Sequence, residues 1–363
     1  MSRSSFYEFE DLVATVEDAT WIVPQWDSPE SSGSFSSRLV SRVLKWQGLE
    51  LRRIPRVQPV PLNGHWDLMV FFCLTENDLK QLRYMPQWRR HCSRAVVWIG
   101  EMWLRKVEKF AADLRLFDSF DEIFLDFGET AEVLSKRLRR PVHYLPFGVD
   151  TQRFSPLPDA PERTIDMLSV GRRSDANHAA LLDYERRMGI HYQYDATWLT
   201  DVHDFADHRR QLIHRIQRAK CFLVGPAKLN VPEQTLGQSE LSARYLEGAA
   251  AGAALIGESP RVAQFQDLFD WPDAIVEWDM YSDDSSALHS LLQNPARLRR
   301  IHNTNVVQCL RRHDWIHRWE DVLSKLGYAL SPTGEARKQL LSERADELMS
   351  PSHPHANFAE KVR

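Results

Sequence analysis

The sequence has few cysteines and no long apolar run. Its four cysteines, Cys73, Cys92, Cys221 and Cys309, are scattered through 363 residues without a close pair. That spacing excludes a disulfide-stapled scaffold and fits small core residues in a reduced compartment. No stretch reaches the roughly 18 apolar residues of a membrane-spanning helix, and MSRSSFYEFEDLVATVED places acidic residues where a secretory leader needs an apolar stretch. The expectation is a soluble, cytoplasmic protein with no transmembrane segment. Neither sign of charge is in excess: the formal net charge of −4 gives no basic footprint for nucleic acid. Walker-type, dinucleotide-binding and Gly-x-Ser-x-Gly signatures are missing, which argues against an NTPase, a dehydrogenase and a serine hydrolase. There is no Asp-x-Asp motif to hold a divalent ion. Asp201-Val-His-Asp204 and Asp283-Asp284 come nearest, and both read as helix caps or loops. His313 and His317 share the i, i+4 spacing of a zinc motif but lack its central Glu and a third ligand, so no metal is expected there.

A chain of this length suits two domains, each able to bury a core unaided. After an irregular lead-in, Ala19-Thr-Trp-Ile-Val-Pro24 reads as a strand, Ser28 to Ser37 as a polar loop and Arg38 to Gln47 as a helix. Further strands are expected at Leu49 to Ile54, Asp67 to Cys73, Ala95 to Gly100, Glu122 to Asp126 and Val142 to Pro146, with helical segments at Glu76 to His91 and Thr130 to Arg139. The stretch Phe147 to Pro161, rich in Gly and Pro and without periodicity, reads as a linker. The pattern restarts with strands at Ile165 to Val170, His191 to Tyr194 and Cys221 to Val224, and helices at His178 to Met188 and Phe205 to Lys220. Ser285 to Leu326 is predominantly helical with a break at Pro295, and Ser331-Pro-Thr-Gly opens a last helix. Near-continuous apolar strands separated by helices indicate parallel sheets covered on both faces. The expected fold is α/β: a Rossmann-like lobe in residues 1–150, a second in 151–330, and a C-terminal helix with a tail in 331–363, the doubly wound lobes facing a cleft. Most of the 12 tryptophans fit core or lobe-interface anchors.

The most informative stretch is SELSARYLEGAAAGAALIGESP, from Ser239 to Pro260. It reads as a polar-faced helix, a stop at Gly252 and a buried strand at Ala253 to Gly257. Ser239 suits the N-cap, and the free N–H groups of the first turn attract an anion such as a diphosphate. Glu240, Arg244 and Glu247 are spaced for one helical face, where they serve either a ligand or ion pairs on a wet surface.

Four ordered features resemble the retaining group-1 glycosyltransferases of the two-Rossmann-lobe (GT-B) fold, in particular their spore-maturation-protein-like branch. They are Leu145-Pro-Phe-Gly-Val-Asp150 with Phe154-Ser-Pro156, Ser169-Val-Gly-Arg-Arg173, Leu229-Asn230, and Arg244-Tyr-Leu-Glu247 with Ala251 to Ile256. The resemblance implies metal-independent transfer of a sugar from a nucleotide diphosphate donor, held mostly by the second lobe, to a hydroxyl acceptor held mostly by the first. The donor is a co-substrate, no further cofactor is implied, and the acceptor class (glycan, lipid, protein or small molecule) stays open. By the same resemblance Glu247 binds the ribose hydroxyls, and Arg172 or Arg173 neutralises the leaving diphosphate with help from Lys228. Asn230 and Arg244 belong to the donor side, Ser239 completes the phosphate pocket, and Gly33 lies in the donor-facing loop of the first lobe. The arginine pair also fits a solvated strand end. The family signature has two glutamates eight residues apart; here the earlier position is Ser239, and Glu240 is seven before Glu247. Two near-complete turns still point Glu240 with Glu247. Glu101, at the C-terminal end of an apolar strand, is placed to meet an acceptor hydroxyl or act as base, or to form a cap or salt bridge. Two rival classes remain open. One is a nucleotide-sugar epimerase or hydrolase using Glu240, and the other is an inactive binding or assembly partner on the same fold.

Overall fold

The computed structural model describes residues 2–22, 60–195 and 205–350. Gly33, the loop and helix expected at 28–47, the strand at 49–54 and the acidic run at 201–204 lie outside these residues. Within them the chain forms two parallel sheets flanked by helices, the two Rossmann-like lobes of the GT-B arrangement.

The first sheet runs in sequence order: β1 (Trp66–Thr75), β2 (Cys92–Glu101), β3 (Glu122–Leu125) and β4 (Val142–Tyr144). Its middle is dry on both faces, with Ala95 through Ile99 almost fully buried, which is why these strands read as continuous apolar runs. The parallel register pairs Thr75 with Glu101 and Leu125 with Tyr144, so the C-terminal ends of all four strands share one edge. Helix α2 (Gly128–Arg137) follows β3 directly.

The second sheet holds β5 (Ile165–Ser169), β6 (Tyr192–Tyr194), β7 (Ala219–Val224), β8 (Ala254–Gly257) and β9 (Val276–Glu277) in the order β6-β5-β7-β8-β9. The chain winds outward from β5 to β6 through α3 (Asp175–Met188), then returns through α4 (Phe205–Gln217) to lay β7 on the other side of β5. This reversal is a topological switch point, and the crevice outside the C-terminal ends of β5 and β7 is where open α/β sheets take ligands. Helix α5 (Ala243–Ala250) ends as expected: Gly252 adopts φ +73°, and a Cβ there would sit 2.9 Å from Val306 Cγ2.

Three long helices, α6 (Pro295–Arg312), α7 (Trp315–Leu326) and α8 (Pro332–Met349), close the chain. Helix α7 returns to the first lobe, where Trp315 and Trp319 meet Phe9. The connection between lobes is pinned by charge. Asp150 caps the short helix Thr151–Phe154, Asp314 caps α7 and accepts the Thr151 hydroxyl at 2.6 Å, and Arg337 of α8 donates to both carboxylates at 3.0 and 2.8 Å.

Three expectations fail. The lead-in is not irregular but a 15-residue helix, α1 (Ser2–Val16), whose Phe6, Phe9, Leu12, Val13 and Val16 are buried at helical spacing. No strand forms at 19–22: Asp18 takes φ +50° just past α1, and the residues after it pair with no strand among the described residues. The helix expected at Glu76 to His91 is two 3-10 segments, Glu76–Tyr84 and Trp88–His91, because Pro86 has no N–H to donate and Gln87 turns left-handed at φ +59°.

Candidate functional site

The C-terminal edges of the two sheets face each other, and the loop from Gly225 to Ser242, between β7 and α5, spans the gap. Glu101 at the tip of β2 pairs with Lys228 at 2.5 Å and accepts the Trp103 indole N–H at 2.8 Å. The Lys228 ammonium lies over the Trp103 ring, 4.7 Å from its centre. Burial alone raises the Glu101 carboxyl, but the Lys228 and Trp103 hydrogen bonds outweigh it and leave the group below the ordinary carboxylate range. Glu101 is therefore an anion, bridging the lobes.

Farther down the same loop, Gln238 accepts the Leu104 N–H at 2.8 Å and donates to the Thr130 hydroxyl at 3.1 Å and to Glu240 at 2.6 Å. The Gly128 N–H, at the start of α2 in the first lobe, also donates to the Glu240 carboxyl. Burial pushes that carboxyl up to about 8, a rise that the Gln238 bond opposes and nearby Glu129 reinforces. Glu240 thus holds its proton at neutral pH.

This placement corrects two expectations. The N-cap of α5 is Ser242, whose hydroxyl donates to the Gly225 carbonyl at 2.9 Å; Ser239 instead accepts the Arg261 N–H at 3.2 Å. Glu240 precedes the helix and does not share a face with Glu247, because its side chain is drawn across the cleft to Gly128.

Around the switch point, Arg172 donates to Asn230 at 2.9 Å, tying the loop after β5 to the loop after β7. Arg173 donates to the Asp195 carbonyl at 2.9 Å and stacks over Tyr194 at 5.2 Å, while the Gly171 N–H donates to the Asp195 carboxylate. Three cationic side chains, Arg172, Arg173 and Lys228, therefore ring the ends of β5 and β7. The start of α5 reaches the same end of β7, where Ser242 bonds the Gly225 carbonyl, and its peptide dipole favours an anion.

Glu247 does not stand on a wet face. Its side chain is 3% exposed; one oxygen takes Arg209 and the other Arg244. Burial would raise this carboxyl, but the two guanidiniums hold it at about 2. Arg209, on α4, also donates to Glu8 of α1 at 2.5 Å. Neither Arg209 nor Glu8 is among the residues expected from sequence. A signal for Arg209 exists: it falls on the buried stripe of α4 with Leu212, Ile213 and Ile216, where an unpaired charge is costly.

His313 donates from Nε2 to the Leu268 carbonyl at 2.9 Å and accepts Arg318 on Nδ1, and His317 bonds the Leu310 carbonyl. Both rings serve as structural links. The four cysteines are free and buried. No helix of the described residues is long and apolar enough to cross a membrane.

A family model described as glycosyl transferase-like matches residues 172–324, which is the second lobe from Arg172 into α7. No curated protein matches the chain. Solved structures that align with it include accessory secretory protein 1, 2 and 3 in Streptococcus pneumoniae, at 12% identity over 76% of this chain and 54% of that one, TM-score 0.43. The Glycosylation Associate Protein (Gap123) complex from Streptococcus agalactiae aligns at 8% identity over 82% of this chain and 60% of that one, also at TM-score 0.43. This chain spans 54% and 60% of the length of those chains.

Proposed function

We propose that this chain transfers a glycosyl group from a nucleoside diphosphate sugar to a hydroxyl acceptor in the cleft between its lobes, as a retaining, metal-independent enzyme of the spore-maturation-protein-like type. The observation that carries the reading is the placing of Arg172, Arg173 and Lys228 just past the ends of β5 and β7, with the start of α5 bonded at the same end of β7. The glycosyl transferase-like match over 172–324 covers the same lobe and supports it.

In this reading the diphosphate lies against the three cations, which stabilise the charge that develops as the bond from sugar to phosphate breaks. Asn230 keeps Arg172 oriented, and the ribose end of the donor lies toward Arg244 and Glu247. Glu101 faces the donor from the first lobe, beside the Trp103 ring, and takes the acceptor hydroxyl. Because Glu101 is already ionised and paired, it orients that hydroxyl as a hydrogen-bond acceptor. The departing phosphate takes the proton.

The competing reading is a binding or assembly partner without catalysis. Two observations favour it: Lys228 is neutralised by Glu101, and both oxygens of Glu247 are occupied by arginines.

Thermal shift of the purified protein against UDP, GDP, ADP, CMP and dTDP separates the two readings. A ligand at a hundred times its Kd stabilises the native state by about 2.7 kcal/mol. Selective stabilisation by one nucleoside diphosphate, lost in Arg172→Gln, is the expected result; Arg172 is exposed, so that variant keeps its fold. A well-folded protein that responds to none of them would sink the transferase reading in favour of the partner.

A further inference from the structure

Glu8, Arg209, Glu247 and Arg244 form one line of alternating charge, from the N-terminal helix through α4 to the first turn of α5. Arg209 donates through Nε and Nη2 to the two oxygens of Glu8, at 2.5 and 3.3 Å, and through Nη1 to Glu247. The second oxygen of Glu247 takes Nη1 of Arg244. The Asp150 N–H donates to Glu8 at 3.3 Å, and the Arg209 guanidinium lies over the Phe154 ring at 4.7 Å, so both ends of the inner pair are fixed to the interlobe connection.

Side-chain exposure along the line is 2% at Glu8, 8% at Arg209, 3% at Glu247 and 13% at Arg244. The charge therefore reaches the surface mainly at Arg244. His208 feels the charges of both Arg244 and Asp195, and Asp195 is also the partner of Arg173. The outer end of the line therefore lies on the first turn of α5, within electrostatic reach of the group that also senses the partner of Arg173.

Buried ion pairs of this kind are poor stabilisers, since desolvation offsets most of the attraction and apolar residues of similar volume do as well. What they fix is geometry: a guanidinium gripped by a carboxylate has its plane and its donors set. We infer that Glu8 and Arg209 are positioning residues of the donor site, holding Glu247 so that it aims Arg244 at the ribose end of a nucleoside diphosphate sugar. The inference rests on the transferase reading above. It makes α1, the first helix of the chain, a working part of the second lobe's site, and it gives Glu247 a role exercised through Arg244.

The test is calorimetric titration of the nucleoside diphosphate that stabilises the wild type, using the full chain and the variants Glu8→Gln, Arg209→Lys and Arg209→Gln. Thermal melts check that each variant is folded. Glu8→Gln and Arg209→Lys leave a hydrogen-bonding group at every position, so they keep the test valid if Arg209→Gln does not fold. Glu8→Gln should weaken binding by about tenfold, the scale on which outer-shell partners act on a ligand site. Arg209→Gln should weaken it further, and Arg209→Lys should regain most of the loss, which a purely structural contribution to the melt would not predict. Coupling is reciprocal, so nucleotide should also slow hydrogen exchange in residues 2–16 of the wild type and not in Glu8→Gln. Unchanged affinity in folded Glu8→Gln, with no protection of α1, overturns the positioning role while the transferase reading stands. A wild type that binds no nucleoside diphosphate overturns both.

Discussion

Glu247 carries its charge where water scarcely reaches, and two guanidiniums compensate it there. Its folded pKa of about 2 lies below the ordinary value of 4.5. The stability this gives is therefore present above pH 4.5 and is lost as pH falls through about 2. Glu247→Gln should lose roughly 3–5 kcal/mol at pH 7, because Arg209 keeps its charge with one partner fewer. Urea denaturation at pH 7 and again at pH 3 checks this, since the gap between variant and wild type must narrow at the lower pH. Glu101 presents the opposite case. Its partner Lys228 is one of the three cations offered to the donor, and every diphosphate that binds must draw it away from a carboxylate. Glu101→Gln frees Lys228 and should tighten nucleoside diphosphate binding by about three- to fivefold, the scale of a partly exposed ion pair. Titration calorimetry reads that gain, and weaker binding in the variant would mean that Glu101 contacts the donor itself.

Elements show how far the residue pattern reaches. The apolar strands were legible because a parallel sheet covered on both faces demands nearly continuous hydrophobic runs, as in Val96 to Ile99 and Leu255 to Ile256. The loop after β5 was legible because Gly171-Arg-Arg173 stands at a strand's C-terminal end. Helix α1 is equally legible in its period, against the irregular lead-in expected there; its Glu8 is buried against Arg209. The start of α5 was not legible, because Ser239 and Ser242 are equally good caps by residue type. What decides between them is Glu240, drawn to Gly128 in the other lobe, a long-range contact that local sequence does not encode. The pairing of Glu101 with Lys228 is hidden for the same reason. Gly257 shows the reverse, a position fixed by close contact inside one sheet. It ends β8 at φ +149°, and a Cβ there would lie 1.9 Å from the Val224 carbonyl oxygen of β7. Gly257→Ala should cost at least about 3 kcal/mol by adding backbone strain to overpacking. A melt that stays within a degree of wild type would show that the two strand ends separate freely.

At the scale of the whole molecule the lobes are not independent bodies. One continuous buried cluster runs from Phe9, Trp98 and Phe124 of the first lobe through Trp315 of α7 to Ile165, Phe222 and Leu255 of the second. The seam between the sheets carries polar contacts as well, and Glu240 is central to them. Its carboxyl faces Gln238 and Gly128, with Glu129 adding negative potential. It also adds to the negative potential felt by Asp126 and Tyr144, so ionising it would place another charge in a seam that already holds buried carboxyl and phenol groups. The folded pKa of about 8 against an ordinary 4.5 means that between those values the unfolded chain has released this proton and the folded chain has kept it. The native state then binds more protons than the unfolded state, so stability must fall as pH rises through that window and level off above pH 8. Glu240→Gln keeps an acceptor for both N–H donors and has no proton to lose. It should match wild type near pH 4.5 and exceed it by roughly 2–4 kcal/mol at pH 8, the gap opening steadily between. Chemical denaturation of the two proteins at pH 5, 6.5 and 8 measures that gap directly, and a difference independent of pH would mean that the seam tolerates a carboxylate and that Glu240 titrates as an ordinary surface acid.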